Sequence, residues 1–154
     1  MNDIDLNIDT KQVLNLFASL DRKKQVKVYR QALTKSAYML VREARKLLKQ
    51  RLKPGATTTK NRWNGKTMAS GIRARVFRNG QEARVSIMGD FRLRFMEMGT
   101  KERYLRKGSK ARRGKIRRMN FFADAKRNAE RPIFDNMNNM ILQSILRIAK
   151  QSNG

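Results

Sequence analysis

The sequence predicts an α+β fold, in which a long amphipathic helix and a C-terminal helix pack on a small antiparallel sheet built around a β-hairpin. Apolar residues recur at spacings of three and four over residues 21–52 and again over 121–150, as on one face of a helix. Between them, residues 71–90 alternate apolar and polar side chains on both sides of an Asn-Gly pair, which is typical of a hairpin. The length of 154 residues suits one domain over the whole chain.

The N-terminal third is predicted to hold two helices. Residues 1–20 include a short amphipathic helix, and Asp21 suits the N-cap of the long helix over 21–52. The apolar stripe of the long helix is formed by Val26, Tyr29, Leu33, Ala37, Leu40, Ala44 and Leu47. Pro54-Gly55 ends this helix. In the polar loop that follows, Trp63 either folds back onto its own core or anchors on a neighbouring subunit.

The hairpin is the most specific local prediction, because a two-residue turn at Asn79-Gly80 fixes its register. The opposed apolar pairs on one face are then Val76 with Ala83, Ala74 with Val85, and Ile72 with Ile87. A slip of one residue would destroy this agreement.

The other face of the hairpin is basic. The same register places Arg75 opposite Arg84, with Arg73 beside them. Like charges directly opposed are unfavourable in an isolated sheet. These side chains therefore either splay into water or meet an anionic surface.

The central region, 68–99, is predicted to hold the hairpin and one more element, which lies in the segment "FRLRFMEMGT" at residues 91–100. Its first residues alternate between apolar and arginine side chains, which fits a third strand or a short helix. Gly99 is placed to allow a tight reversal.

A strongly basic segment follows at 101–118, with ten basic residues and one acid. The basic residues are Lys101, Arg103, Arg106, Lys107, Lys110, Arg112, Arg113, Lys115, Arg117 and Arg118. The charge and the absence of an apolar period predict a loop that is mobile or ordered by a partner. We interpret it as a partner-facing loop, with a plain solvated connector as the alternative.

The last element, 121–150, is an amphipathic helix. Phe122, Ala125 and Ala129 begin its apolar stripe, and a second set of apolar residues continues it to Ile148. Pro132 lies between the two sets and predicts a kink or a restart.

The composition argues against catalysis. The chain has no cysteine and no histidine, so thiol nucleophiles and the usual general base at neutral pH are missing. Its twelve acids are scattered, and no phosphate-binding loop, nucleophile elbow or metal-ligand spacing is present. We therefore expect no enzymatic activity, no cofactor and no metal.

The charge balance is the strongest signal about partners. The chain carries 37 Lys+Arg against 12 Asp+Glu, a formal net charge of +25. A potential of that size attracts polyanions whatever the fold, so nucleic acid or an acidic protein surface is the expected neighbour. No apolar run is long enough to span a bilayer, and Asp3, Asp5 and Asp9 stand where a secretory signal would be basic and then apolar. We expect a protein made in a cytoplasm, with no membrane partner.

The order of these elements resembles the tail-component family of tailed bacteriophages, which contains neck and tail-completion proteins. The segment "FRLRFMEMGT" is similar to the family's best signature at its aromatic residue, Glu97, Gly99 and Thr100. "NFFADA", with Phe121 and Phe122, looks like the aromatic segment that opens the family's final helix. The resemblance spans about residues 22–150. This chain departs from the family in the loop before the first strand and in its more cationic segment 101–118.

This resemblance implies a structural virion protein, assembled in the host bacterial cytoplasm, that forms a ring at the head–tail junction. Its partners would be further copies of itself in a six-fold or twelve-fold ring, adjacent neck and tail proteins, and double-stranded DNA in the channel. The basic loop, or the hairpin arginines, would face the DNA or acidic surfaces of adjacent rings, and the Glu97–Thr100 turn would be structural and launch the loop. The alternative is a cytoplasmic protein that binds nucleic acid without sequence specificity.

Overall fold

A computed structural model of the chain describes residues 15, 17–56, 58–62, 64–78, 80–106, 108 and 110–152. Its elements in chain order are α1 (Arg22–Arg51), a 3-10 turn (Ala69–Gly71), β1 (Arg73–Val76), β2 (Ala83–Ser86), α2 (Phe91–Met98), β3 (Arg103–Tyr104), β4 (Arg112–Gly114) and α3 (Phe121–Ser152). The predicted α+β class is confirmed. The strands form two separate two-stranded antiparallel sheets, β1–β2 and β3–β4, and only the first was predicted.

Most of the predicted N-terminal helix lies outside the described residues, as does Trp63. Residues 17–19 are helical. The Phe17 ring meets Tyr29 edge-on, with 4.9 Å between the ring centroids. Gln25 donates its side-chain amide to the carbonyls of Phe17 and Leu20, both at 3.0 Å. These contacts fasten the segment to the start of α1.

Helix α1 begins as predicted, because Asp21 accepts a hydrogen bond from the Lys24 backbone amide at 2.9 Å. Its buried line is rotated from the predicted stripe and consists of Val28, Ala32, Ser36, Ala37, Val41, Ala44 and Leu48. Of the predicted stripe only Ala37 and Ala44 are buried, and Tyr29 is exposed. The reason is that both α3 and the β1–β2 hairpin cover α1, so its apolar surface is wider than one stripe.

The predicted hairpin register is confirmed, with Val76 opposite Ala83, Ala74 opposite Val85 and Arg75 opposite Arg84. The ladder ends at Arg73 and Ser86, so Ile72 and Ile87 lie just beyond it. Ile72 is fully buried, and Ile87 packs against the core.

The turn of this hairpin rests on α1. Gly80 has a φ of +66°, and a Cβ there would lie 2.8 Å from the Val26 carbonyl oxygen. The close approach and the left-handed backbone together require glycine at this position. Asn79 lies outside the described residues.

Residues 91–98 form the short helix rather than the third strand. Asp90 caps this helix by accepting a hydrogen bond from the Arg92 backbone amide at 3.0 Å. The Arg92 guanidinium also binds the Asp90 carboxylate at 2.6 Å. Leu93 is fully buried, whereas Phe91 and Phe95 are exposed. The Asp90 cap favours a helix that begins at Phe91, which the alternation of side chains alone could not distinguish from a strand.

Helix α3 runs antiparallel to α1 and continues through Pro132, so the predicted restart is wrong. Near one end of the pair Asp124 binds Arg51, and Asn128 donates to Glu43 at 3.3 Å. The main core lies at this end, where α1, α2, the hairpin and the first turns of α3 meet. It comprises Val41, Ala44, Leu48, Met68, Ile72, Leu93, Phe121 and Ala125. Phe121 is fully buried, and the predicted Phe122 only packs beside it.

Candidate functional site

The Glu-x-Gly-Thr segment forms a joint between α2 and α3. Glu97 lies in the last turn of α2, not in a turn that launches the loop. Its carboxylate accepts hydrogen bonds from the backbone amides of Phe122 at 2.8 Å and Ala123 at 3.0 Å. These amides belong to the first turn of α3, where N–H groups have no partner inside the helix. A side chain of one helix therefore caps the start of another, with its negative charge at the positive end of the helix dipole.

The next two residues of the segment close the base of the basic stretch. Gly99 has φ +73° and ψ 179°, and a Cβ there would lie 2.9 Å from the backbone nitrogen of Arg118. Thr100 donates its backbone amide to the carbonyl of Ile116 at 3.0 Å. Its hydroxyl accepts from the amide of Ile116, also at 3.0 Å. The two ends of the basic segment therefore lie side by side, at Thr100 and Ile116.

Beyond Thr100, Arg103–Tyr104 and Arg112–Gly114 pair as a short antiparallel ribbon, where the sequence predicted only a loop. We call the described residues of this segment, 101–106, 108 and 110–118, the β-ribbon. Arg103 pairs with Gly114 and Tyr104 with Arg112, with an irregularity between the two pairs. The amide of Leu105 adds a hydrogen bond to the Ala111 carbonyl at 3.0 Å. The two hydrogen bonds between Thr100 and Ile116 hold the ends of the segment side by side, and backbone pairing follows in a segment that lacks an apolar period.

The ribbon presents its basic side chains to solvent. Those described and exposed are Lys101, Arg103, Arg106, Lys110, Arg112, Arg113, Lys115, Arg117 and Arg118, while Lys107 lies outside the described residues. Arg112 binds Glu102, the one acid of the segment. A shallow depression of about 600 Å³ at the base is lined by Lys101, Lys115, Arg117 and Arg118, among others. Several positive charges therefore converge where the ribbon meets α2.

The hairpin arginines form a second exposed basic face, and Phe77 explains how two of them tolerate each other. The guanidinium carbons of Arg75 and Arg84 lie 5.2 and 5.6 Å from the centre of the Phe77 ring, within the range of a cation–π contact. Arg84 also binds Glu82 at 3.1 Å. Arg73 donates to a backbone carbonyl three residues earlier at 3.0 Å. Phe77 was not predicted as part of this face, although it is two residues from Arg75 and so follows the same alternation.

Two carboxylates of the described region, Asp90 and Asp124, are bound by arginine side chains. Hydrogen bonding from Arg92 holds the pKa of Asp90 below its ordinary value. Arg51, assisted by Arg127, likewise lowers the pKa of Asp124. Within the described residues, no cluster of acids is suited to hold a metal ion. The described helices also include none that is both long and apolar enough to cross a membrane.

Comparison of the chain with protein-family models, curated proteins and solved structures finds no match.

Proposed function

We propose that this chain is a structural virion protein of a tailed bacteriophage, which forms a ring at the head–tail junction around the DNA channel. The observation that carries the proposal is the joint that the Glu-x-Gly-Thr segment forms between α2 and α3. The residues by which the sequence resembles the tail-component family, Glu97, Gly99 and Thr100, are those that tie α2, the β-ribbon and α3 together. The residues that carry the resemblance therefore make contacts between elements of the fold.

The β-ribbon is the surface that we assign to the channel or to an adjacent ring. Six of the ten basic residues of segment 101–118 are arginines, whose planar guanidinium groups can bind two phosphate oxygens at once. Tyr104 is its only aromatic residue, so base stacking contributes little. The expected contacts are with phosphates and are insensitive to sequence. Such contacts suit a ring through which a whole genome passes.

A second candidate is a cytoplasmic protein that binds nucleic acid without sequence specificity. It is favoured by the same exposed cations, and by the fact that phosphate contacts need no ring. The two functions differ in what the loss of the gene does to particles.

Deletion of the gene from the phage genome that encodes it, followed by electron microscopy of the lysate, tests the proposal. Separate heads and tails are the expected result. Tailless heads without free tails would move the protein to tail assembly. Normal infectious particles would overturn the virion assignment and favour the second candidate.

A charge variant then tests the β-ribbon in the intact protein. Serine replaces four exposed basic residues, Lys101, Arg113, Lys115 and Arg117. The matched control removes two lysines and two arginines that are exposed on the long helices, Lys23, Arg42, Lys49 and Arg131. We expect the β-ribbon variant to fold but to complement the deletion poorly, whereas the control complements normally. Equal complementation by both would make the β-ribbon a solvated connector.

A further inference from the structure

We propose that a cationic groove between the first half of α1 and the last turns of α3 binds the phosphodiester backbone of nucleic acid, at a site separate from the β-ribbon and the hairpin. The groove goes beyond the proposed function and does not depend on the virion assignment. Its wider part has a volume of about 610 Å³ and is lined by Lys27, Arg30, Gln31, Thr34, Lys35, Met140, Gln143, Ser144 and Arg147. A narrower part of about 390 Å³ shares four of these residues and extends to Lys24 and Gln151.

The groove exists because the core lies at the opposite end of the helix pair. In the first half of α1 the buried apolar residues are Val28 and Ala32, and the C-terminal half of α3 buries Ile145. These few side chains hold the α1 and α3 backbones together but do not fill the space on either side of the contact line. The polar residues that flank the contact line therefore form the walls of an open cleft.

The charges that line the groove are of one sign. Five cations face it, namely Lys24, Lys27, Arg30, Lys35 and Arg147. No carboxylate is among the described residues that line it. Lys24 lies 3.8 Å from Asp21, and the structure gives the other four no ion pair with any described residue. Four cations that lack an ion pair with the described residues, grouped in one cleft, focus a positive potential and favour an anionic ligand.

The other side chains indicate which anion fits. Two glutamine amides, from Gln31 and Gln143, and the Ser144 hydroxyl supply donors of the kind that contact phosphate oxygens. No aromatic residue is among the described lining residues, so bases have no platform for stacking. The apolar lining is limited to Val28, Met140 and Ile148, which offers little to the side chains of a protein partner.

The length of the groove agrees with a nucleic-acid strand. From Lys24 to Lys35 the helix axis advances by about 16 Å, at about 1.5 Å per residue. Each strand of a duplex advances by about 3.4 Å of helix axis per nucleotide, so this span equals the axial rise of about five nucleotides. The groove is not evident from the sequence, because Arg30 and Arg147 are separated by more than 100 residues of chain.

The test compares two variants of the full chain that remove the same charges. The groove variant combines Lys27→Gln, Arg30→Gln and Arg147→Gln. The control combines Lys49→Gln, Arg42→Gln and Arg131→Gln, which are exposed residues of the same two helices outside the groove. Fluorescence anisotropy with a labelled 20-base-pair duplex measures the binding constant between 50 and 200 mM NaCl. Circular dichroism verifies that both variants fold.

We expect the groove variant to bind at least about tenfold more weakly than the control at 100 mM NaCl. The slope of log K against log salt should become shallower by about 2–3, since each lost phosphate contact contributes about 0.9. Indistinguishable affinities and slopes for the two variants would overturn the proposal. So would a groove variant that loses binding to poly-glutamate but keeps its affinity for DNA, because the site would then be one for an acidic protein segment.

The DNA-binding assay, combined with the complementation and deletion experiments above, separates this inference from the proposed function. If the groove variant binds DNA like the control while the β-ribbon variant fails to complement, the groove is refuted and the virion role stands. If the groove variant loses binding while deletion of the gene leaves particles normal, the groove stands and the virion role fails.

Discussion

Replacement of Glu97 by alanine tests the joint between α2 and α3. The change removes a carboxylate that accepts two backbone N–H groups, at 2.8 and 3.0 Å, in the first turn of α3. Loss of a helix cap typically costs about 0.5–2 kcal/mol, and hydrogen bonds to a charged group contribute about 1.5–3 kcal/mol. Glu97 is half-buried, so water replaces only part of what is lost. We expect the free energy of unfolding to fall by about 2 kcal/mol, a value within both ranges.

In a protein of this size, 1 kcal/mol shifts the melting temperature by about 2–4 °C, so Glu97→Ala should lower it by about 4–8 °C. Glu97→Gln keeps one acceptor oxygen but turns an amide NH₂ toward the second N–H. It should therefore lose a large part of the same stability. The assay is urea unfolding followed by circular dichroism, with thermal melting as a second measure.

Glu130→Ala is the matched control, because it removes the same charge from an exposed position in the middle of α3. This control is needed because any lost acid increases the self-repulsion of a chain with a net charge of +25. If the two alanine variants unfold within about 0.3 kcal/mol of each other, Glu97 does not hold α3, and the structural meaning of the Glu-x-Gly-Thr segment is refuted.

Two further predictions concern the same region. Gly99→Ala should cost more than about 2 kcal/mol, because it combines a backbone strain of about 1–3 kcal/mol with a Cβ 2.9 Å from a backbone nitrogen. Gly108→Ala is the control, since its φ is also positive (+80°) but nothing lies within 4 Å; equal urea midpoints would contradict the close approach. Arg92 holds the pKa of Asp90 below its ordinary value of 3.8, so ionised Asp90 stabilises the fold above about pH 4. That contribution disappears as pH falls through the folded-state pKa, and Asp90→Asn should be less stable than the unaltered chain at pH 7 but converge with it in urea titrations toward pH 2. A constant difference across this range would argue against the ion pair.

Local signals predicted part of the fold correctly. Asp21 marks the start of α1 because an N-cap acts on an amide three residues away. The hairpin register follows from alternation around a two-residue turn, as the pairing of Ala74 with Val85 confirms. Both devices operate within a few residues of chain, which is why a single sequence contains the information.

Features that depend on contacts between residues far apart in the chain could not be predicted from the sequence. The buried line of α1 runs through Val41 and Leu48 because two elements cover the helix, and no periodicity specifies that angle. Glu97 is 25 residues from the amide of Phe122 that it caps. The two ends of the β-ribbon are likewise held together by hydrogen bonds between Thr100 and Ile116, which are 16 residues apart. The sequence identified the basic residues of the candidate site, but tertiary contacts give them their arrangement.

The two kinds of charge have different tasks in this molecule. Seven of the nine acids at described positions cap a helix or bind a basic side chain, and they are Asp21, Glu43, Glu82, Asp90, Glu97, Glu102 and Asp124. With so few acids and most of them engaged, the β-ribbon and the groove keep nearly all of their positive charge. Substitutions of acids should therefore lower stability, whereas substitutions of exposed basic residues should weaken binding to anions and leave the fold in place. The proposed polyanionic partner is consistent with this division of charge.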